Sequence, residues 1–299
     1  MKLPSSTFET AHYVVRNSST HALFGFCATL YHPQSSLGIL AALFVDPSKR
    51  NLSIGRSLHQ RAIRGLLSRS PKPLRIQLGS GFPSFYLGIP MSDISEGATL
   101  KRWFDAKGWE SSSQQGLFTL GIKNLASWEP PEGLLTGLQR YSFSFDLIHG
   151  RENADGVIEH VGLNASSEVQ QLYLLALEDA KACGVVRAKS PIDGSLVGTI
   201  IITRSESVLA RYIPTLSRGG KEVVGGIIAP VVPRDQQQAH IILQGLVLLG
   251  LRQNKAHGTG STVLNWVKSE ERDVLLNMGF DVLGAFEELS MAADDMIFS

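Results

Sequence analysis

The chain is expected to fold as an α/β (α+β) protein of two tandem domains, each a mixed central sheet flanked by helices. Its 299 residues favour two domains or one large one. An apolar strand (Leu37 to Val45) runs through a short loop into an amphipathic helix. The order strand, loop, helix, strand, helix ending in Gly-aromatic, strand then occurs twice. Trp103-Phe104-Asp105-Ala106-Lys107-Gly108-Trp109 matches Val274-Leu275-Leu276-Asn277-Met278-Gly279-Phe280 by position. A repeat of about 150 residues suits a duplicated domain and is too long for a solenoid unit.

Along the first half, Tyr13 to Arg16 and His21 to Tyr31 are β-rich runs separated by the turn cluster Asn17-Ser18-Ser19-Thr20. Leu37 to Val45 is nearly continuously apolar, as in a strand covered on both faces. The helix from Gly55 to Ser68 sets Leu58, Ala62 and Leu66 behind Ile54 on one stripe. Pro71 and Pro73 end it, and Leu74 to Leu78 makes the next strand. A short helix from Ala98 stops at Gly108, and Gly116 to Ile122 is expected to close the unit. Pro130-Pro131 marks a linker. These readings give an N-terminal domain at 1–127, a linker at 128–141 and a C-terminal domain at 142–299.

The second half begins with a strand at Phe143 to Ile148 and a helix over Ser166 to Cys183. Strands follow at Val185 to Lys189, Leu196 to Thr203 and Glu222 to Val232. After the apolar helix at Ala239 come a strand (Thr262 to Val267), a helix (Glu270 to Met278) and a last strand (Val282 to Leu289). The apolar run Ala239 to Leu251 falls short of the roughly 20 residues a membrane span needs, so it is expected to be a buried core helix.

Composition narrows the function. A formal net charge of +1 gives no footprint for nucleic acid or an anionic membrane. Cys27 and Cys183 lie in no metal-ligand spacing, so no metal and no disulfide framework are expected. The polar first 20 residues lack the apolar region of a secretory signal. The expected location is cytoplasmic, with a nuclear pool left open.

The stretch after the apolar strand carries the chemistry. Arg50-x-x-Ser53-x-Gly55 marks the point where loop becomes helix. It aims free backbone N–H groups, the positive end of a helix dipole and nearby cations at one spot suited to a pyrophosphate. An ordinary strand–loop–helix crossover is the blander explanation. The segment resembles the acetyl-CoA loop of the GNAT superfamily of N-acetyltransferases, Gln/Arg-x-x-Gly-x-Gly/Ala, with Ser53 where the first Gly is usual. Leu23 to Thr29, Asn51 to Ala62, Tyr86-Leu87-Gly88-Ile89-Pro90 and Leu243-Gln244-Gly245-Leu246 are similar to the acetyltransferase region of fungal family-three β-N-acetylglucosaminidases. The chain is then a stand-alone relative or a portion of one, with a glycoside hydrolase domain as partner in a longer relative. Residues 1 to 12 are too few for the strand and two helices that open a full unit.

The resemblance implies acetyl-CoA as co-substrate, bound by Leu43, Phe44, Val45, Arg50, Asn51, Leu52, Ser53, Ile54, Gly55 and Arg56. A backbone N–H near Leu43 to Val45 would polarise the thioester carbonyl. Arg61, Arg64 or Lys72 would meet the 3′-phosphate, though a solvated helix face explains them equally well. Asp46 is the nearest candidate base, and a turn carboxylate before Pro47 is the alternative. The family's thiolate-protonating Tyr is replaced by Phe104 in one half and Leu275 in the other. Tyr86 is the substitute candidate, with a packed loop aromatic as the alternative. In the second half Pro233 aligns with Pro47, Gln236 with Arg50, Ala239 with Ser53 and Ile241 with Gly55. Ile241 would crowd a phosphate, so that loop is expected to bind acetyl-CoA weakly or not at all. Glu287-Glu288 could reach an amino sugar, though a solvated strand edge is the blander explanation, and Trp103, Trp109 and Trp266 could stack on one but fit a core role as well.

Three functions follow. The first is an acyltransferase that acetylates the amine of glucosamine or a related amino sugar by direct transfer in a ternary complex. The second is acetylation of protein or histone lysines. The third is a non-catalytic acetyl-CoA-binding or scaffold module.

Overall fold

A computed structural model describes residues 8–79, 88–91, 96–111, 116–152, 154–213, 215–216, 223–233 and 235–293. In chain order the first elements are β1 (Glu9–Arg16), β2 (Leu23–His32), β3 (Leu37–Val45), α1 (Ile54–Leu67), β4 (Arg75–Leu78), β5 (Ile89–Pro90), α2 (Glu96–Asp105) and β6 (Glu110–Ser111). Then come β7 (Leu117–Ile122), α3 (Leu134–Tyr141), β8 (Ser144–Ile148), α4 (Asp155–Asn164), α5 (Ser167–Glu178), β9 (Cys183–Lys189), β10 (Leu196–Arg204) and β11 (Val224–Val231). The last are α6 (Ala239–Ala256), β12 (Ser261–Lys268), α7 (Ser269–Leu276), β13 (Asp281–Glu287) and β14 (Leu289–Ala292). The chain divides into two compact units, Met1–Gln114 with Phe286–Ser299, and Gln115–Ala285.

Unit 1 is built on a sheet of order β1-β2-β3-β4-β14-β6. Its first hairpin turns where the Asn17 side chain accepts the amides of Ser19 and Thr20, both at 2.8 Å. β1, β2 and β3 pair antiparallel, and β3 pairs parallel with β4. The α1 stripe buries Leu58, Ala62, Ile63 and Leu66 against Cys27, Tyr31, Leu40, Ile76 and Leu78. Gly25 on β2 lets the helix seat, since a Cβ there would lie 2.8 Å from Leu58 Cδ1 and 2.9 Å from Ile54 Cγ2.

Unit 2 repeats this plan. Strands β8 to β11 pair antiparallel, and β11 pairs parallel with β12. Helix α6 fills the place of α1, burying Ile242, Leu243, Leu246, Val247 and Leu251 with Ile200, Ile202, Ile227 and Leu264. The core-helix expectation for this run is met. At Gly245 the helix meets Phe145 so closely that a Cβ would lie 2.1 Å from its Cζ.

The closing strands depart from the sequence reading. β7, expected to complete the first half, pairs with β12 of unit 2, from Thr262↔Ile122 to Lys268↔Leu117. The end of the chain does the reverse: β14 lies between β4 and β6 of unit 1, with Leu289 opposite Leu78 and Ser111. The two halves have exchanged strands. Local alternation marks a strand but carries no record of its partner, so the division at 1–127 and 142–299 differs from the packed units. The expected linker 128–141 also belongs to unit 2. It contains α3, whose Leu134 and Leu138 pack on the core, and Trp128 Nε1 donates to Met278 O at 2.9 Å.

Both Gly-aromatic signatures end a helix in one way. Gly108 and Gly279 take left-handed φ of 79° and 88°. Trp109 N–H donates to Phe104 O and Phe280 N–H to Leu275 O, while each Gly N–H reaches three residues back. This is the 6→1 and 5→2 pairing that closes a helix on a left-handed glycine.

Candidate functional site

In unit 1 the parallel pairing of β3 and β4 stops early. Its last register pair is Leu40↔Leu78, followed by Gly79 N–H donating to Leu40 O at 3.3 Å. A bulge between Ala28 and Thr29 of β2 inserts Ala41 into β3 and re-aims the strand. From Ala42 to Val45, β3 pairs only with β2 among the described residues. Alternate amides of Leu43, Phe44 and Val45 therefore face an edge with no strand partner among the described residues, at the carboxyl end of a parallel strand, where α/β sheets place ligands. Leu43 and Val45 pack on the core, and Phe44 is 54% exposed.

The loop beyond is a series of tight turns. Asp46 N–H makes the last bond to β2, at Phe24 O. The Asp46 carboxylate accepts the Ser48 amide and hydroxyl, both at 2.8 Å, and so caps the short 3-10 turn Pro47–Lys49. Those bonds hold its pKa below the usual carboxylate value. Arg50 and the exposed Leu52 follow, and Asn51 and Ser53 take left-handed φ of 65° and 60°. A left-handed φ at Ser53 explains why glycine is usual in the family pattern there. Ser53 is the N-cap of α1 but makes no side-chain cap bond. The first i→i−4 bond is Ser57 N–H to Ser53 O, leaving the Ile54 and Gly55 amides ahead of the ladder. An uncapped helix end with bent loop amides beside it suits an anion.

Helix α2 supplies the facing wall. A Cβ on Gly55 would lie 3.5 Å from Val45 Cγ2 and 4.0 Å from Trp103 Cζ2, so β3, α1 and α2 meet at this glycine. Lys107 Nζ sits 3.8 Å from the Trp103 ring centroid. Burial, and then the charge of Arg56, lower the Lys107 pKa. Behind them His59 is buried, edge-on to Trp103 and accepting the Trp109 indole N–H on Nε2 at 3.0 Å.

The structure thus brings together Leu43 to Val45, Arg50 to Arg56 and Asp46. Tyr86 lies outside the described residues. Phe104 and Leu275 are buried core residues. Arg61 and Arg64 stand roughly 12 and 16 Å along α1 from Ser53, and Lys72 lies beyond the helix end. Lys107 is a further cation beside the loop, one that sequence reading passed over. The available signal was its i, i+4 spacing from Trp103 across a helix end. Glu287 is engaged by Lys101 at 2.7 Å and by Ser111. Trp109 is core. Trp266 sits in a bulge of β12 with φ 61°, and its buried indole N–H has no partner among the described residues.

Unit 2 carries the same bend with different residues. Its α6 N-cap, Gln238, has φ 64°, as Ser53 has 60°. Matching the caps places exposed His240, not Ile241, opposite Gly55. Ile241 is buried, one residue further on. The loop before α6 is shorter than that before α1, which shifts the sequence alignment by one.

Known structures share this fold. The fold is that of a tandem GNAT protein. A GCN5-related glucosamine N-acetyltransferase region of a fungal multi-domain GH3 β-N-acetylglucosaminidase superposes with TM-score 0.77 at 20% identity, over 94% of this chain and 33% of that one. This chain thus spans about a third of that relative. A tandem GNAT protein from the clavulanic acid biosynthesis pathway, in a structure without acetyl-CoA, gives TM-score 0.63 at 14% identity, over 97% and 85%. A GCN5-related N-acetyltransferase from Sphaerobacter thermophilus gives 0.60 at 15%, over 94% and 80%. No family model and no curated protein matches the sequence. Among the described residues no helix is long and apolar enough to cross a membrane, and no three metal-ligating side chains cluster.

Proposed function

We propose that the protein is an acetyl-CoA-dependent N-acetyltransferase whose donor site is the β3–α1 loop of unit 1 and whose acceptor is the amine of glucosamine or a related amino sugar. The observation that carries the donor site is the uncapped α1 N-terminus, set against the carboxyl end of β3 and walled by Trp103. The amino-sugar acceptor is supported by likeness to the fungal glucosamine N-acetyltransferase region.

Acetyl-CoA supplies the acetyl group as a thioester. The amides of Asn51 to Arg56 would hold its pyrophosphate, and an amide of Leu43 to Val45 would polarise the carbonyl, donors that need no reorganisation during reaction. The amine must be neutral to attack. As its nitrogen bonds to the acetyl carbon the C–S bond breaks, and the proton released balances the one taken up by the thiolate. Asp46, bonded twice to Ser48, is assigned to bracing the loop, and water carries the proton away. Activity then rises with pH through the amine's ionisation. Unit 2, with His240 at the glycine position, is assigned a scaffold role.

Free-thiol release from acetyl-CoA tests this, with glucosamine, glucosamine 6-phosphate or a lysine peptide as acceptor, and Gly55→Trp as control. Turnover on an amino sugar that Gly55→Trp abolishes supports the assignment. Turnover on the peptide alone moves the function to protein acetylation, and binding without turnover leaves a sensor or scaffold.

A further inference from the structure

Two cations stand at the mouth of the unit 1 loop. Arg56 belongs to the first turn of α1, and Lys107 follows the end of α2. Lys107 is held in place: its ammonium packs on the Trp103 ring and donates to Trp103 O at 3.3 Å. Trp103 in turn touches the space over Gly55. Among the described residues no carboxylate lies within ion-pair distance of Lys107. Burial and the neighbouring Arg56 both disfavour its charge, and among the described residues only the Trp103 ring and carbonyl offset it. Coenzyme A carries two separate anions, a pyrophosphate and a ribose 3′-phosphate. The α1 amides serve one of them. The other is a phosphomonoester, close to a dianion at neutral pH, and calls for a side-chain cation.

We propose that Lys107, held on Trp103 beside Arg56, binds the 3′-phosphate of coenzyme A and makes the site select it over 3′-dephospho-coenzyme A. The inference rests on the acetyl-CoA reading above. Orientation on the indole fixes a flexible side chain before the ligand arrives, so less rotamer freedom is lost on binding.

Calorimetric titration of the full chain with coenzyme A and with 3′-dephospho-coenzyme A tests it. The wild type is expected to bind coenzyme A about tenfold or more tighter, the scale of one charge-assisted phosphate contact. Lys107→Gln should weaken coenzyme A by that factor, leave the dephospho form unchanged and melt at the wild-type temperature. Lys107→Arg, which keeps the charge, should retain most of the discrimination. Equal wild-type affinity for the two ligands overturns the inference alone, as does an equal loss for both in Lys107→Gln. Absence of binding to either ligand overturns the donor site, and this inference with it.

Discussion

A methyl group at residue 55 would meet Val45 and Trp103 at ordinary packing distances, which accounts physically for a family position that accepts Gly or Ala. Gly55→Ala should therefore keep acetyl-CoA affinity within about twofold and raise stability by up to ~1 kcal/mol through the lost backbone entropy of glycine. Calorimetry and thermal melting check both; a large loss of affinity would mean that the ligand needs the bare backbone. His59 gives a pH prediction. Burial, then the charge of Lys107, lowers its pKa from 6.5 to about 4. Between those values the unfolded chain binds a proton that the folded chain refuses. The stability from neutral His59 is thus complete above pH 6.5 and declines as pH falls, by on the order of 3 kcal/mol at pH 4. Urea unfolding at pH 7 and pH 4.5, with the His59 ring followed by NMR, measures it. A ring that protonates near 6.5 in the folded protein would contradict the account.

The exchanged strands dominate the next scale. Leu289 of β14 and Leu120 of β7 are both fully buried, one in the core of unit 1 and the other in that of unit 2. Leu289→Ala and Leu120→Ala should each cost about 2–5 kcal/mol, the usual cost of a buried cavity. Hydrogen exchange separates them: Leu289→Ala should lower protection in α1, and Leu120→Ala in α6. Protection lost in the opposite units would restore the simple tandem order. Sequence periodicity revealed α1 and β3 well because their apolar positions are unambiguous: the stripe Leu58, Ala62, Leu66 and the run Leu37 to Val45. It passed over α4, whose Gly156 and Gly162 weaken the helical pattern, and α3, whose Leu134 and Leu138 follow Pro130-Pro131 and Gly133. The proposed donor loop could be picked out because a helix start beside a strand end is local chemistry. Lys107 and Trp103 were not, because only the packing of α2 brings them to Gly55.

For the molecule as a whole, the exchange means that neither sequence half contains a complete sheet. A fragment 1–127 lacks β14, which lies between β4 and β6, and a fragment 128–299 lacks β7, which pairs with β12. Each fragment alone is expected to be insoluble or molten, with folded protein recovered on co-expression. Independent folding of either would show that the exchanged strand is dispensable. The proposed function rests on a second asymmetry. Both units bend the chain into a left-handed N-cap before the long helix, but only unit 1 follows it with glycine and has the Trp103 wall. The most direct measurement is the stoichiometry of acetyl-CoA by calorimetry, for the wild type and Gly55→Trp. The account predicts one site per chain, lost in Gly55→Trp, because the indole fills the space between Val45 and Trp103. Binding that survives Gly55→Trp would place the donor elsewhere and contradict it.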